Sequence, residues 1–117
     1  MKETREKYLD GQILLFNKPL GWTSFDLVKK VKNTLRRNLE IDKIKVGHAG
    51  TLDPLATGLL IVCTGRATKK IQQIQELGKE YIASIMLGKT TPSFDLETDF
   101  DKEFPTSHIS KELIEKT

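Results

Sequence analysis

Cysteine is almost missing from this chain, Cys63 being the only one in 117 residues. A single thiol excludes an internal disulfide and a cysteine-built zinc site, and its setting in the apolar run from Leu59 to Cys63 marks it as a small buried hydrophobe. Long hydrophobic runs are missing as well: no stretch approaches the length that crosses a bilayer. The N-terminal MKETREKYLD is too charged to hold the apolar centre of a signal peptide, so the expectation is a soluble cytoplasmic protein opening on a charged leader, residues 1–10. Strong charge of one sign is lacking too. Nineteen Lys and Arg against 16 Asp and Glu leave +3, which is compatible with a phosphate-bearing partner but too small to demonstrate one. Repeats and low-complexity segments are absent, and the length suits one small domain, or a piece of a larger one, with a modest core.

What is present is unevenly placed. Lys29, Lys30, Lys32, Arg36, Arg37, Lys43 and Lys45 crowd one stretch opposed only by Glu40 and Asp42, while Asp95, Glu97, Asp99 and Asp101 reverse the sign further on. The first stretch is the candidate electrostatic footprint for a nucleic acid, and the second reads as a solvated loop. Ile13 to Phe16 forms a short strand pattern that runs into a turn set by Pro19 and Gly21. Thr23 and Ser24 then offer helix caps, and Val28, Val31 and Leu35 at i, i+3 and i+7 predict a helix from Ser24 to Arg37, ending near Asn38. Lys29, Lys32 and Arg36 share its other face, as a phosphate-binding stripe or an ordinary solvated one. An extended piece from Lys43, a loop, and the buried strand LLIVCTG follow. Ile71, Ile74 and Leu77 predict a helix from Lys69 to Leu77 closed by Gly78, and Tyr81 to Leu87 alternates as a strand. Near the end, Ser110 is placed to cap a helix of two turns, which is marginal without packing and reads as a cut within a larger protein. This order predicts an α+β fold with a mixed sheet and packed helices, with α/β as the alternative.

Chemistry concentrates in GHAGTLDPLATGLL, which gathers one carboxylate, one imidazole, two hydroxyls and three glycines. Pro54 biases Asp53 away from helix, and Gly47, Gly50 and Gly58 let backbone approach a ligand. Taken alone, an Asp-Pro is more often a turn aspartate bonded to its own backbone. Taken alone, Tyr81 is a strand-core tyrosine and His48 a neutral turn histidine. ASIMLGKT ends like a phosphate-binding loop but lacks the leading glycine and the following helix, so nucleotide binding is not expected.

Three ordered blocks change that weighting. GHAGTLDPLATGLLIVCTGRATK resembles the signature of TruB-type pseudouridine synthases, NKPLGWTS resembles the family's KPxGxTS block upstream of it, and KEYIASIMLGKTTPSFD resembles its third block. Departures at Asn17, Ser93 and Thr98 touch only block edges. The resemblance implies that residues 11–117 are the N-terminal portion of a pseudouridine synthase catalytic domain of bacterial type. The family's later arginine-containing block and its C-terminal PUA domain have no counterpart here. It further implies isomerisation of uridine to pseudouridine in the T stem-loop of tRNA, at a position-55-type site, with no cofactor, metal, membrane or protein partner. By the same resemblance Asp53 is the nucleophile, Tyr81 the active-site tyrosine, and His48 an RNA contact beside Gly47 and Gly50. Lys18, Thr23, Lys43 and Lys45 are phosphate-contact candidates, Lys18 foremost. A non-catalytic RNA-binding or RNA-folding module using the same basic surface is the rival reading. The isolated 117 residues are expected to be inactive either way.

Overall fold

A computed structural model describes residues 2–117, which form two compact units, one through Lys79 and one from Glu80 to Thr117. In the first unit the charged leader is a helix, α1 (Lys2–Asp10), followed by β1 (Ile13–Lys18), α2 (Ser24–Asn38), β2 (Val46–Ala49) and β3 (Gly58–Thr64). A 3-10 helix (Gly65–Lys70) then passes into the short α3 (Ile71–Gln75).

The three strands pair in the order β1-β3-β2, with β3 central. Both pairings are antiparallel, so the sheet is antiparallel rather than mixed, and the α/β alternative falls because no parallel pair exists among the described residues. The architecture is α+β.

Strand alternation decides which side chains turn inward. Leu14, Phe16 and Lys18 of β1 face in while Ile13, Leu15 and Asn17 face out. α2 lays Leu27 and Val31 onto Leu60 and Val62 of β3, and Leu14, Phe16, Trp22, Leu35, Val46 and Leu52 pack around them. Leu60 and Val62 are fully enclosed, each contributing about 1.5–3 kcal/mol by the usual measure of apolar burial. Cys63 is buried as expected.

The far end of β3 is fastened to α1. Thr64, fully buried, donates its hydroxyl to the Tyr8 carbonyl (2.9 Å) and accepts from the Gln12 amide (3.0 Å). Gly65 next to it has φ +54, and a Cβ there would run into the Leu9 carbonyl. Only glycine fits.

The expected helix from Lys69 to Leu77 is shortened to Ile71–Gln75 with its end at Glu76, not at Gly78. Ile71 and Ile74 are half-buried, but Leu77 is 63% exposed, so the stripe loses its packing before it reaches the glycine.

The second unit holds β4 (Lys89–Thr90) paired with β5 (Lys102–Glu103), and α4 (Lys111–Lys116) capped by the Ser110 side chain as the sequence suggested. Lys89 is engaged by Glu103 (3.6 Å) and lies over the Phe100 ring (4.4 Å), so the Gly-Lys-Thr run is no phosphate loop. The acidic segment is a loop organised by Asp95, whose carboxylate accepts from the Ser93 hydroxyl (2.7 Å) and the Glu97 amide (2.9 Å). These bonds hold Asp95 below its ordinary 3.8, the Ser93 hydroxyl being the larger cause. Tyr81 to Leu87, expected as a strand, is irregular and exposed. Its alternation puts apolar groups on both faces, and a strand exists only by pairing; no described residue pairs with it.

Candidate active-site loop

The β2–β3 connection carries the signature block, with Asp53 near its middle. Gly50 (φ +94) and Gly58 (φ +132) border it in conformations that side chains rarely adopt. Between them Asp53 opens a tight turn over Pro54, its carbonyl accepting from the Ala56 amide (2.9 Å).

Two flexible joints would leave this loop loose, yet it is gripped from outside by the Lys18–Ser24 segment. The β1–β3 register sets Lys18 opposite Gly58, which brings the turn after β1 against the loop. On one side of Asp53, the Ser24 hydroxyl accepts from the Leu52 amide (2.9 Å) and donates to the Leu52 carbonyl (3.2 Å). On the other, the Pro54 carbonyl accepts from the Gly21 amide (2.7 Å) and from Lys18 Nζ (3.5 Å). The Leu52 side chain is also anchored in the core. The backbone flanking Asp53 is therefore fixed, while its side chain is exposed and its carboxylate accepts no hydrogen bond or ion pair from any described residue. That differs from a turn aspartate spending its oxygens on its own backbone. A free carboxylate on a fixed backbone is suited to attack a ligand or to stabilise developing positive charge.

Lys18 corrects the sequence expectation. Its side chain is fully buried, and the ammonium donates to the carbonyls of Trp22 (2.6 Å), Pro19 (3.0 Å) and Pro54 (3.5 Å). An ammonium has three donors, and all three are used inside the fold, so none is left to offer a phosphate. Thr23 is the N-cap of α2: its hydroxyl accepts from the Asp26 amide (3.0 Å) while its own amide donates to Asp26 (2.9 Å). The amide bond from Thr23 is the main cause that holds Asp26 below its ordinary 3.8.

His48 is half-buried on β2, its Nδ1 at 2.7 Å from the Gly50 carbonyl. A carbonyl only accepts, so the proton sits on Nδ1 and the ring steadies the start of the loop. Gly47 has a packing reason, since a Cβ there would lie 2.8 Å from Ile71 Cδ1, whereas the space around Gly50 is open. Lys43 and Lys45 are exposed, as are Lys29, Lys30, Arg36 and Arg37 along α2, with Lys32 half-buried. Tyr81 belongs to the second unit and is 67% exposed. Ser24 was legible only as a possible cap; Thr23 takes that role and Ser24 turns inward, 3% exposed, onto the Asp53 loop.

An α+β unit that presents an unencumbered carboxylate on a clamped loop is of a kind that suits a catalytic domain. Residues 36–117 match the family profile described as TruB family pseudouridylate synthase, N terminal domain. The chain belongs to that family. It is 63% identical over 109 residues to a tRNA pseudouridine synthase B of Parabacteroides distasonis, covering 93% of this chain and 46% of the relative. It is 57% identical to that of Bacteroides fragilis, covering 94% and 47%, and 55% identical to that of Flavobacterium johnsoniae, covering 97% and 50%. A match over 97% of the chain takes in the NKPLGWTS segment that the profile match leaves out. The chain spans about half the length of the curated relatives it matches.

Proposed function

We propose that the full-length protein carrying this chain isomerises uridine to pseudouridine in the T stem-loop of tRNA, at a position-55-type site, in the cytoplasm. The observation that carries the reading is the Asp53 carboxylate, free and exposed on a backbone pinned at Leu52 and Pro54. The reaction breaks the bond from the ribose to uracil N1, turns the base and rejoins it through C5; C5 releases a proton and N1 takes one up, so the product is an isomer of the substrate and no atom is gained from a cofactor. Asp53 serves as the nucleophile during the interval in which sugar and base are apart. Tyr81 supplies a ring against the uracil, and its hydroxyl assists removal of the C5 proton. A base within a folded loop must first be extruded. His48, the open backbone at Gly50, and exposed Lys43 and Lys45 contact the RNA, with the basic face of α2 adding sequence-independent attraction.

The test uses the full-length protein and a T-arm RNA, comparing wild type with Asp53→Asn. The amide keeps the shape and loses the charge, so product formation is lost while RNA affinity stays within about threefold. Turnover by the variant within about tenfold of wild type removes Asp53 from this role. Binding without product by the wild type would favour the RNA-binding module instead.

A further inference from the structure

We propose that Ser24 is the residue that positions Asp53, acting through the backbone of Leu52; this rests on the reading of Asp53 as nucleophile. One hydroxyl makes both bonds to Leu52, accepting from its amide at 2.9 Å and donating to its carbonyl at 3.2 Å. The amide belongs to the peptide plane before Leu52 and the carbonyl to the plane that leads into Asp53. Holding both planes from a single point fixes the two backbone dihedrals of Leu52, and so the direction in which the Asp53 side chain leaves the loop.

Among the described residues the hydroxyl makes no other hydrogen bond. The capping of α2 is complete without it, because Thr23 and Asp26 satisfy each other's amides. That same capping box fixes the first turn of α2, where Ser24 stands, so the positional information runs from a rigid helix end through Ser24 into an otherwise irregular loop. Glycines with positive φ at both borders, Gly50 and Gly58, give the loop the freedom that such a clamp removes. An alanine at position 24 would leave the Leu52 amide without its partner, and the loop would relax around the core-anchored Leu52 side chain.

Displacing a nucleophile by about 1 Å costs on the order of a hundredfold in rate. In the full-length protein, Ser24→Ala is therefore expected to lower kcat by about 10- to 100-fold with KM for T-arm RNA within about threefold of wild type. Amide exchange at Leu52 should accelerate in parallel. Ser24→Cys keeps a weak donor and acceptor at the same place in a slightly larger side chain and weakens both bonds, and its kcat should fall between the two. Val31→Ala, which softens the same helix from the core side, should leave kcat within about threefold.

Several results would overturn the proposal. They are a kcat for folded Ser24→Ala or Ser24→Cys within about threefold of wild type, a loss confined to KM, or an equal kcat loss in Val31→Ala. Asp53→Asn in the same series separates the two ideas. If it is inactive while the Ser24 variants are normal, the positioning role alone fails; if it is active, the nucleophile reading fails first.

Discussion

Replacing Lys18 by methionine removes a charge and three donors while nearly conserving volume, and it separates two uses of a basic residue. Hydrogen bonds from a charged donor contribute about 1.5–3 kcal/mol each, but enclosing an ammonium that forms no ion pair among the described residues, Asp26 attracting it only from further off, costs several kcal/mol, so the two largely cancel for the lysine itself. What decides the variant is which carbonyls are left alone. The Pro54 carbonyl keeps the Gly21 amide at 2.7 Å and Pro19 keeps a long contact from the Trp22 amide at 3.4 Å, while the Trp22 carbonyl at 2.6 Å has no other partner among the described residues. One orphaned buried carbonyl costs about 1–3 kcal/mol, and that is the expected loss of stability, read from the urea midpoint of the full-length protein. The Gly21 amide should exchange faster as well. RNA binding supplies the contrast: each phosphate contact removed lowers the slope of log affinity against log salt by about 0.7–0.9. A lysine used wholly within the fold leaves that slope unchanged in Lys18→Met. A slope reduced by about one contact, with stability intact, would refute the carbonyl assignment and return Lys18 to the phosphate-binding set.

Charge reversal of Lys29 and Arg36 on the exposed face of α2 should weaken tRNA binding and flatten its salt dependence by about 0.7 or more per contact; affinity indifferent to salt in the wild type would sink that surface. Asp26 sits below its ordinary 3.8 chiefly because the Thr23 amide donates to it, so the capping box is at full strength above that value and is lost as pH falls through the lowered native value beneath it; protection of the Thr23 amide that does not fall as Asp26 takes up its proton would contradict this. Gly47→Ala brings a methyl to 2.8 Å from Ile71 Cδ1, the free end of a side chain that can swing aside, and should destabilise by less than about 1 kcal/mol, checked by thermal melting against Gly78→Ala, which meets open space. Burial pushes the Cys63 thiol above its ordinary 9.0, against a smaller opposing effect of Lys70, so alkylation at neutral pH should be slow until denaturant is added. Residues 1–117 alone should yield no pseudouridine from T-arm RNA, because no described residue offers a cation to Asp53; robust turnover would show that carboxylate sufficient by itself.

Local signals carried α2 and the strands that flank it. A capping Thr followed by apolar residues at helical spacing placed the helix to within a residue of Ser24–Asn38, and β1 and β3 emerged where alternation or a continuous apolar run met glycine and proline. Features that depend on a distant partner were not legible. The alternation from Tyr81 to Leu87 is a genuine strand pattern, but periodicity describes side chains, and a strand is made by backbone bonds to another segment. Lys18 looked like a surface cation because basic residues usually are; its burial depends on three carbonyls that converge only after the turn at Pro19 to Trp22 folds onto Pro54, thirty-six positions away. Ser24 was hidden by its neighbour, since either hydroxyl of Thr23-Ser24 satisfies the capping rule and only the three-dimensional arrangement shows which one turns inward.

β3 is also a ruler. Gly58 borders the Asp53 loop and Thr64 binds α1, so at about 3.3 Å per residue the strand holds these two places about 20 Å apart. Glu6 lies on an exposed part of α1, and the native thiol is shut away in the core. A cysteine introduced at Glu6 would therefore take a fluorophore selectively, giving an optical reporter of RNA arrival that stands clear of the loop it watches.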